Sequence, residues 1–178
     1  MPPASRLGRQ LEETAAALTA AGVPFALIGG LALAPHKVVR ATQDIDLLAD
    51  IDDGETIDGV LVGLGYRCIH RNTDAANYVR SDERVDFIYA SRPIARRLLS
   101  TAARFETSLG VLPVVSTEGL IGFKLQGLCN DPRRTQDLED VRALLRANHG
   151  MLDMAEVRDY FKLFGRDALL DELLNEIR

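Results

Sequence analysis

The run Asp44-Ile45-Asp46-Leu47-Leu48 constrains this chain most, because acids alternating with aliphatics read as a strand that carries two carboxylates on one face. Side chains two apart on a strand project together, so Asp44 and Asp46 can share a divalent cation. That is the geometry of metal-dependent phosphoryl transfer. A second acidic cluster, Asp50, Asp52 and Asp53, sits with Gly54 in a turn pattern and reads as a solvated loop.

Leu7, Leu11, Ala15, Leu18 and Ala21 recur at helical spacing and Gly22 with Pro24 stops them, which predicts a helix over residues 5–21. Residues 25–28 read as a short buried strand. Gly29-Gly30 then turns the chain into a second helix through about His36, and residues 40–43 lead into the Asp44 strand. Residues 57–65 form another helix, and strands follow near 77–80 and at 84–89, joined by a turn at 81–83. Asp86 therefore lies in the second strand of a hairpin, beside the Asp44 strand. From Ser116 onward the pattern is helical, capped by Ser116 or Thr117. Lys124 lies on the first of these helices, which Asn130-Asp131-Pro132 breaks. A helix over 135–147 carries Asp137 and Asp140 on one face, and short helices at about 153–163 and 167–177 finish the chain. The expected division is a core of residues 1–115 with a helical segment, 116–178, packed on it.

With 178 residues, 47% of them hydrophobic, the chain can build a real interior. A net charge of −5 opposes a protein that coats nucleic acid through overall charge. Arg67, Arg71, Arg80, Arg84, Arg92, Arg96, Arg97 and Arg104 nevertheless crowd the middle, either as solvated faces or as a basic lane. Cys68 and Cys129 have no metal-ligand spacing and read as buried thiols, and His36, His70 and His149 are scattered, so a structural zinc site is not expected. The uncharged stretch 14–34 imitates a leader, but Glu12 and Glu13 interrupt the basic region, and Gly22, Pro24, Gly29 and Gly30 break the apolar run. No membrane association and a cytoplasmic location are expected.

Gly29-Gly30 after a buried strand lets backbone approach a phosphate closely, since no Cβ intrudes. Neither a Walker-type loop nor a dinucleotide fingerprint accompanies it. The ordered pieces Ile28-Gly29-Gly30-Leu31-Ala32-Leu33, Arg40-Ala41-Thr42-Gln43-Asp44-Ile45-Asp46-Leu47, Val85-Asp86-Phe87, and Lys124 with Asp137 and Asp140 resemble the nucleotidyltransferase superfamily that includes DNA polymerase beta. Within it they resemble the AbiEii-like nucleotidyltransferases of toxin–antitoxin systems.

The resemblance implies an α/β (α+β) fold with a mixed β-sheet flanked by helices and a C-terminal helical segment. It implies a nucleoside triphosphate bound across Gly29 and Gly30, and magnesium (or manganese) held by Asp44, Asp46 and Asp86. It also implies Lys124 near the phosphates and Asp137 as the later acidic motif, while Arg40 and Thr42 contact the phosphates or brace the strand. A nucleoside monophosphate would pass to a hydroxyl of RNA, transfer RNA included, of protein or of a small molecule, with an antitoxin as a possible partner. Two departures stand out: Gly30 where many members have Ser, and Gln136 where a basic residue often precedes the Asp. The alternative is a non-catalytic nucleotide-binding or protein-interaction module with the same fold.

Overall fold

Alternation along Ile45–Asp50 makes this strand, β2, the middle member of a seven-stranded sheet in the computed structural model, which describes residues 5–177. Ile45, Leu47 and Ala49 are fully buried on one face, while Asp46 and Asp50 are half-buried on the other. The strands are β1 (Phe25–Leu27), β2, β3 (Arg67–Arg71), β4 (Ala75–Arg80), β5 (Glu83–Ala90), β6 (Ala103–Thr107) and β7 (Gly110–Val114). The helices are α1 (Arg6–Ala20), α2 (Gly54–Gly63), α3 (Pro93–Ser100), α4 (Thr117–Asn130), α5 (Thr135–Ala147), α6 (Met154–Leu163) and α7 (Asp167–Ile177).

The sheet order is β3-β4-β5-β2-β1-β7-β6. β2 runs antiparallel to β1 but parallel to β5, so the sheet is mixed, as expected. The expected hairpin is β4–β5, and Ser81 at φ +55° makes its tight turn. β5 lies beside β2 in a register that sets Asp86 opposite Asp46. α1 starts at Ser5, whose hydroxyl accepts from Gly8 N at 3.0 Å, and Ser116 caps α4 in the same way through Gly119 N at 3.1 Å. Each cap satisfies an amide that the first helical turn leaves orphaned. One apolar core runs from Leu11 on α1 to Leu173 on α7 and includes residues from the sheet and all of the last four helices.

Several expectations need correction. The predicted helix after Gly30 is a series of turns ending in a single 3-10 turn, Ala34–His36. Its bonds reach back three residues, as in His36 N to Leu33 O at 2.9 Å, and Lys37 leaves it left-handed at φ +66°. Pro35 has no amide to extend an α-helix here. The acids at 50–53 are not a loose loop: they form a 3-10 turn leading into α2, and Arg96 bonds both Asp50 Oδ1 (3.0 Å) and Asp52 Oδ2 (3.1 Å). Cys68 and Cys129 are free and half-buried rather than buried. β3, α3, β6 and β7 are elements that the sequence pattern did not announce.

His36 fastens the irregular segment. Its Nε2 donates to Val115 O at 2.7 Å and its Nδ1 accepts from Thr117 Oγ1 at 2.9 Å, while Asn148 Nδ2 donates to His36 O at 3.0 Å. Burial pushes this imidazole's pKa down, against smaller opposing contributions from the Val115 carbonyl and Glu118. The neutral ring is the form that makes both hydrogen bonds.

Candidate active site

One cavity of about 490 Å³ is lined by Gly29, Gly30, Arg40, Thr42, Asp44, Asp46, Asp86, Lys124 and Asp137, all of the site residues singled out from the sequence. They come from the β1 turn, the approach to β2, β2 itself, β5, α4 and α5. Such convergence requires the fold, because the contributing segments span more than half the chain.

Asp44 and Asp46 stand where β2 begins, with Asp44 exposed just before the strand and Asp46 half-buried within it. The glycine pair makes room for them. Gly29 is left-handed (φ +65°), and a Cβ there would overlap the Asp46 Oδ2 and lie 2.6 Å from its Cγ. A Cβ on Gly30 would lie 2.6 Å from Thr42 Oγ1. Gly29 thus seats the Asp46 carboxylate, and Gly30 seats Thr42. Burial raises Asp46 first, and the negative charges of Asp86 and Asp44 add to it, so its pKa rises to about 6 despite Lys124 and Arg134.

Asp86 faces different partners. Asn77, its register partner on β4, donates to Oδ1 at 2.7 Å, and Arg84 Nε lies 3.0 Å and 2.8 Å from the two oxygens. Arg84 and Asp86 are two apart on β5, which puts them on one face. That spacing was a readable signal for Arg84, whereas the Asn77 contact depends on the hairpin register. Among the described residues no three His, Cys, Asp or Glu side chains are gathered into a ready-made metal cage. Magnesium does not need one, since it is commonly held by one or two carboxylates with substrate phosphates and water.

Lys124 is 6% exposed and is not a solvated cation. Its Nζ lies 3.0 Å from Asp137 Oδ1 and 2.8 Å from Asp140 Oδ2, so α4 and α5 are clamped through one ammonium. Burial pushes Asp140 up, but hydrogen bonds from Arg40 and Lys124 outweigh it and leave the carboxyl below its ordinary value. Arg40 grips both Asp140 oxygens, Nε at 2.9 Å and Nη2 at 3.0 Å, in a two-pronged bond that ties the approach to β2 onto α5. Arg40 also lines the cavity. Gln136 donates to Asp140 Oδ1 at 3.1 Å. Arg134 Nε faces the remaining Asp137 oxygen at 2.6 Å, an ion pair without hydrogen-bond alignment, and a Cβ at Gly127 would crowd that same oxygen at 2.7 Å.

Several central arginines are engaged elsewhere. Arg80 pairs with Glu13 and Glu83, Arg71 with Asp58, Arg96 with Asp50 and Asp52, and Arg97 with Glu156.

The arrangement of sheet, glycine turn and helices is matched by solved structures. The antibiotic-resistance factor ANT(2'')-Ia superposes with a TM-score of 0.67 at 18% identity, covering 95% of this chain and 97% of that one. The fold is that of a nucleotidyltransferase. The lincosamide antibiotic adenylyltransferase LnuA matches with a TM-score of 0.57 at 14% identity over 76% of this chain and 94% of its own. A nucleotidyltransferase-like protein of Paracoccidioides brasiliensis matches at 0.53 and 15% identity, over 98% of this chain and 95% of that chain. No protein-family model matches the chain, and no curated protein does. Among the described residues no helix is long and apolar enough to cross a membrane.

Proposed function

We propose that this chain is a metal-dependent nucleotidyltransferase that moves a nucleoside monophosphate from a nucleoside triphosphate onto a hydroxyl of a small molecule. The observation that carries the reading is the cavity bringing Asp44, Asp46 and Asp86 together with the glycine turn and a row of cations. Magnesium or manganese fits the donor set, because the three carboxylates offer hard oxygen ligands and Asp46 is held beside like charges that a cation would relieve. Asp44, Asp46 and Asp86 would hold it, and when bound it would offset charge on the attacking and leaving oxygens.

The chain's own groups supply the rest. Gly29 and Gly30 present bare backbone to the phosphates, while Arg84, Arg134 and Lys124 line the cavity with positive charge for them. Asp86 orients the acceptor hydroxyl and takes its proton as the oxygen attacks the α-phosphorus. The bond to the β-phosphate breaks and pyrophosphate leaves. Asp137 and Asp140 hold Lys124, and Arg40 holds Asp140, so these side chains set the position of the phosphate-binding cation.

Support for a small-molecule acceptor comes from the likeness to ANT(2'')-Ia, described in complex with adenylyl-2''-tobramycin, and to LnuA, described with lincomycin bound. An RNA acceptor draws less support, since many central arginines are engaged in ion pairs. A toxin with a cognate antitoxin, and a cytoplasmic location, rest on the sequence readings alone. The test is transfer of label from each α-labelled triphosphate with magnesium, comparing the native chain with Asp46→Ala. Label on an acceptor in the native reaction alone supports the reading. Arg84 pinned on Asp86 favours a second reading, a non-catalytic nucleotide-binding module. In that case magnesium and triphosphate raise the melting temperature but no label moves with any acceptor class.

A further inference from the structure

Next to the candidate active site lies a second cavity of about 520 Å³ that shares Ile88 and Phe123 with it. Ile88 is two residues beyond Asp86 on β5, so both point to the same side of the sheet and a molecule lying across Ile88 reaches Asp86. The cavity's wall on the α4 side carries Gly119 and Gly122, where that helix faces α3 and α6. A Cβ at Gly119 would meet Leu98 Cδ2 at 2.6 Å, and one at Gly122 would meet the Tyr160 ring at 2.8 Å. Bare backbone lets Leu98 and Tyr160 close in as side walls. Ile94 and Leu163, 39% and 63% exposed, form an apolar mouth.

The lining has an unusual charge balance for a site next to phosphate chemistry. It contains one carboxylate, Asp74, and one guanidinium, Arg92, with the amides of Gln126 and Asn130 between aromatic and aliphatic surfaces. A polycationic amino sugar would require several carboxylates to compensate its desolvated ammonium groups. An RNA strand would require a basic lane. The volume falls in the range of about 300–1,000 Å³ that small-molecule sites occupy.

We infer that this cavity is the acceptor subsite, and that the acceptor is an uncharged or singly charged small molecule with an apolar or aromatic body and a hydroxyl presented to Asp86. The inference rests on the nucleotidyl-transfer reading above and names its acceptor class. In the reaction the acceptor oxygen forms a bond to the α-phosphorus as the bond to the β-phosphate breaks. The hydroxyl proton goes to Asp86, and pyrophosphate carries away the electron pair.

The experiment uses the full chain with magnesium and each α-labelled triphosphate. The acceptors are 4-nitrophenyl and 2-naphthyl β-D-glucopyranosides, neomycin as the polycation, and bulk transfer RNA. Ile94→Asp and Leu163→Asp place a charge at the exposed mouth without opening the core. Label should appear on an aryl glucoside and on neither neomycin nor transfer RNA. Both variants should raise KM for that glucoside about tenfold or more, the loss of one apolar contact, while the melting shift with magnesium and triphosphate stays at its native size. Label on neomycin or transfer RNA overturns the inference, as does a glucoside KM that neither variant moves. No label on any acceptor, with the melting shift intact, overturns the acceptor class and leaves the nucleotide site standing. Loss of both label and melting shift overturns the nucleotidyl-transfer reading and this inference with it.

Discussion

At the scale of single residues, Gly29 and Asp46 depend on each other. Gly29→Ala must place a side chain against the Asp46 carboxylate from a left-handed backbone, whereas a Cβ added at Gly22, at φ +72°, would meet nothing within 4 Å. Both substitutions should cost ~1–3 kcal/mol in backbone strain, but only Gly29→Ala should also lower kcat, by about 100-fold for a carboxylate displaced near 1 Å. Paired kinetics and melting of the two variants check this. Asp46 has a further cost built in. An unfolded Asp titrates near 3.8 and the folded Asp46 at about 6, so the folded chain holds the extra proton between those values. Stability from this group is therefore complete at low pH and is lost as pH rises through that window. Asp46→Asn should stabilise the metal-free chain above pH 6 by up to ~3 kcal/mol, give no gain near pH 3.5, and abolish transfer. Denaturant melts across pH measure the first two. His36 acts in the opposite direction: its lowered pKa makes the folded chain lose stability as pH falls through 6.5, an effect that His36→Gln should remove.

Between elements, the strongest dependence is the clamp of α4, α5 and the approach to β2 through Lys124, Asp137, Asp140 and Arg40. Lys124→Met leaves two buried carboxylates short of their shared cation and should cost ~3–5 kcal/mol. Adding Asp137→Asn should return more than about 1 kcal/mol, because it removes one of the stranded charges. Urea unfolding of the single and double variants measures the coupling; strict additivity would mean that the clamp does not act as a unit. The same scale explains which elements were legible. α1 and α5 bury one clear stripe, so periodicity announces them. β3 and β6 are the two edges of the sheet and are exposed along most of their length, which leaves no alternation to read. β7 contains Pro113, a residue that argues against a strand until one sees its position beside an edge. The short α3 fully buries only Leu98.

For the whole molecule, the proposed division at residue 115 into a core and a helical segment meets a continuous interior. Val115 N bonds Leu27 O at 3.2 Å, and the apolar cluster crosses the boundary without a gap. Calorimetry should therefore show one cooperative transition, and two resolved transitions would mark the helical segment as an independent unit. Magnesium with the preferred triphosphate at a hundred times its Kd should raise that transition by about 5–10 °C, from ~2.7 kcal/mol of linkage in a chain of this size. Chelation should remove the shift. The β2 strand with Asp46 on its half-buried face and Asp44 at its entry, Gly29-Gly30 closing β1, and the order of acidic motifs were readable in the chain, because strand alternation and turn chemistry are local. The neighbours of those groups were not. That Asp46 stands opposite Asp86, that Arg40 reaches Asp140, that Lys124 is buried between two carboxylates, and that two glycines of α4 let Leu98 and Tyr160 pack against bare backbone all follow from parallel strand pairing and helix packing between distant segments. Local periodicity says which face of an element is apolar, but only the closed fold decides which two faces meet.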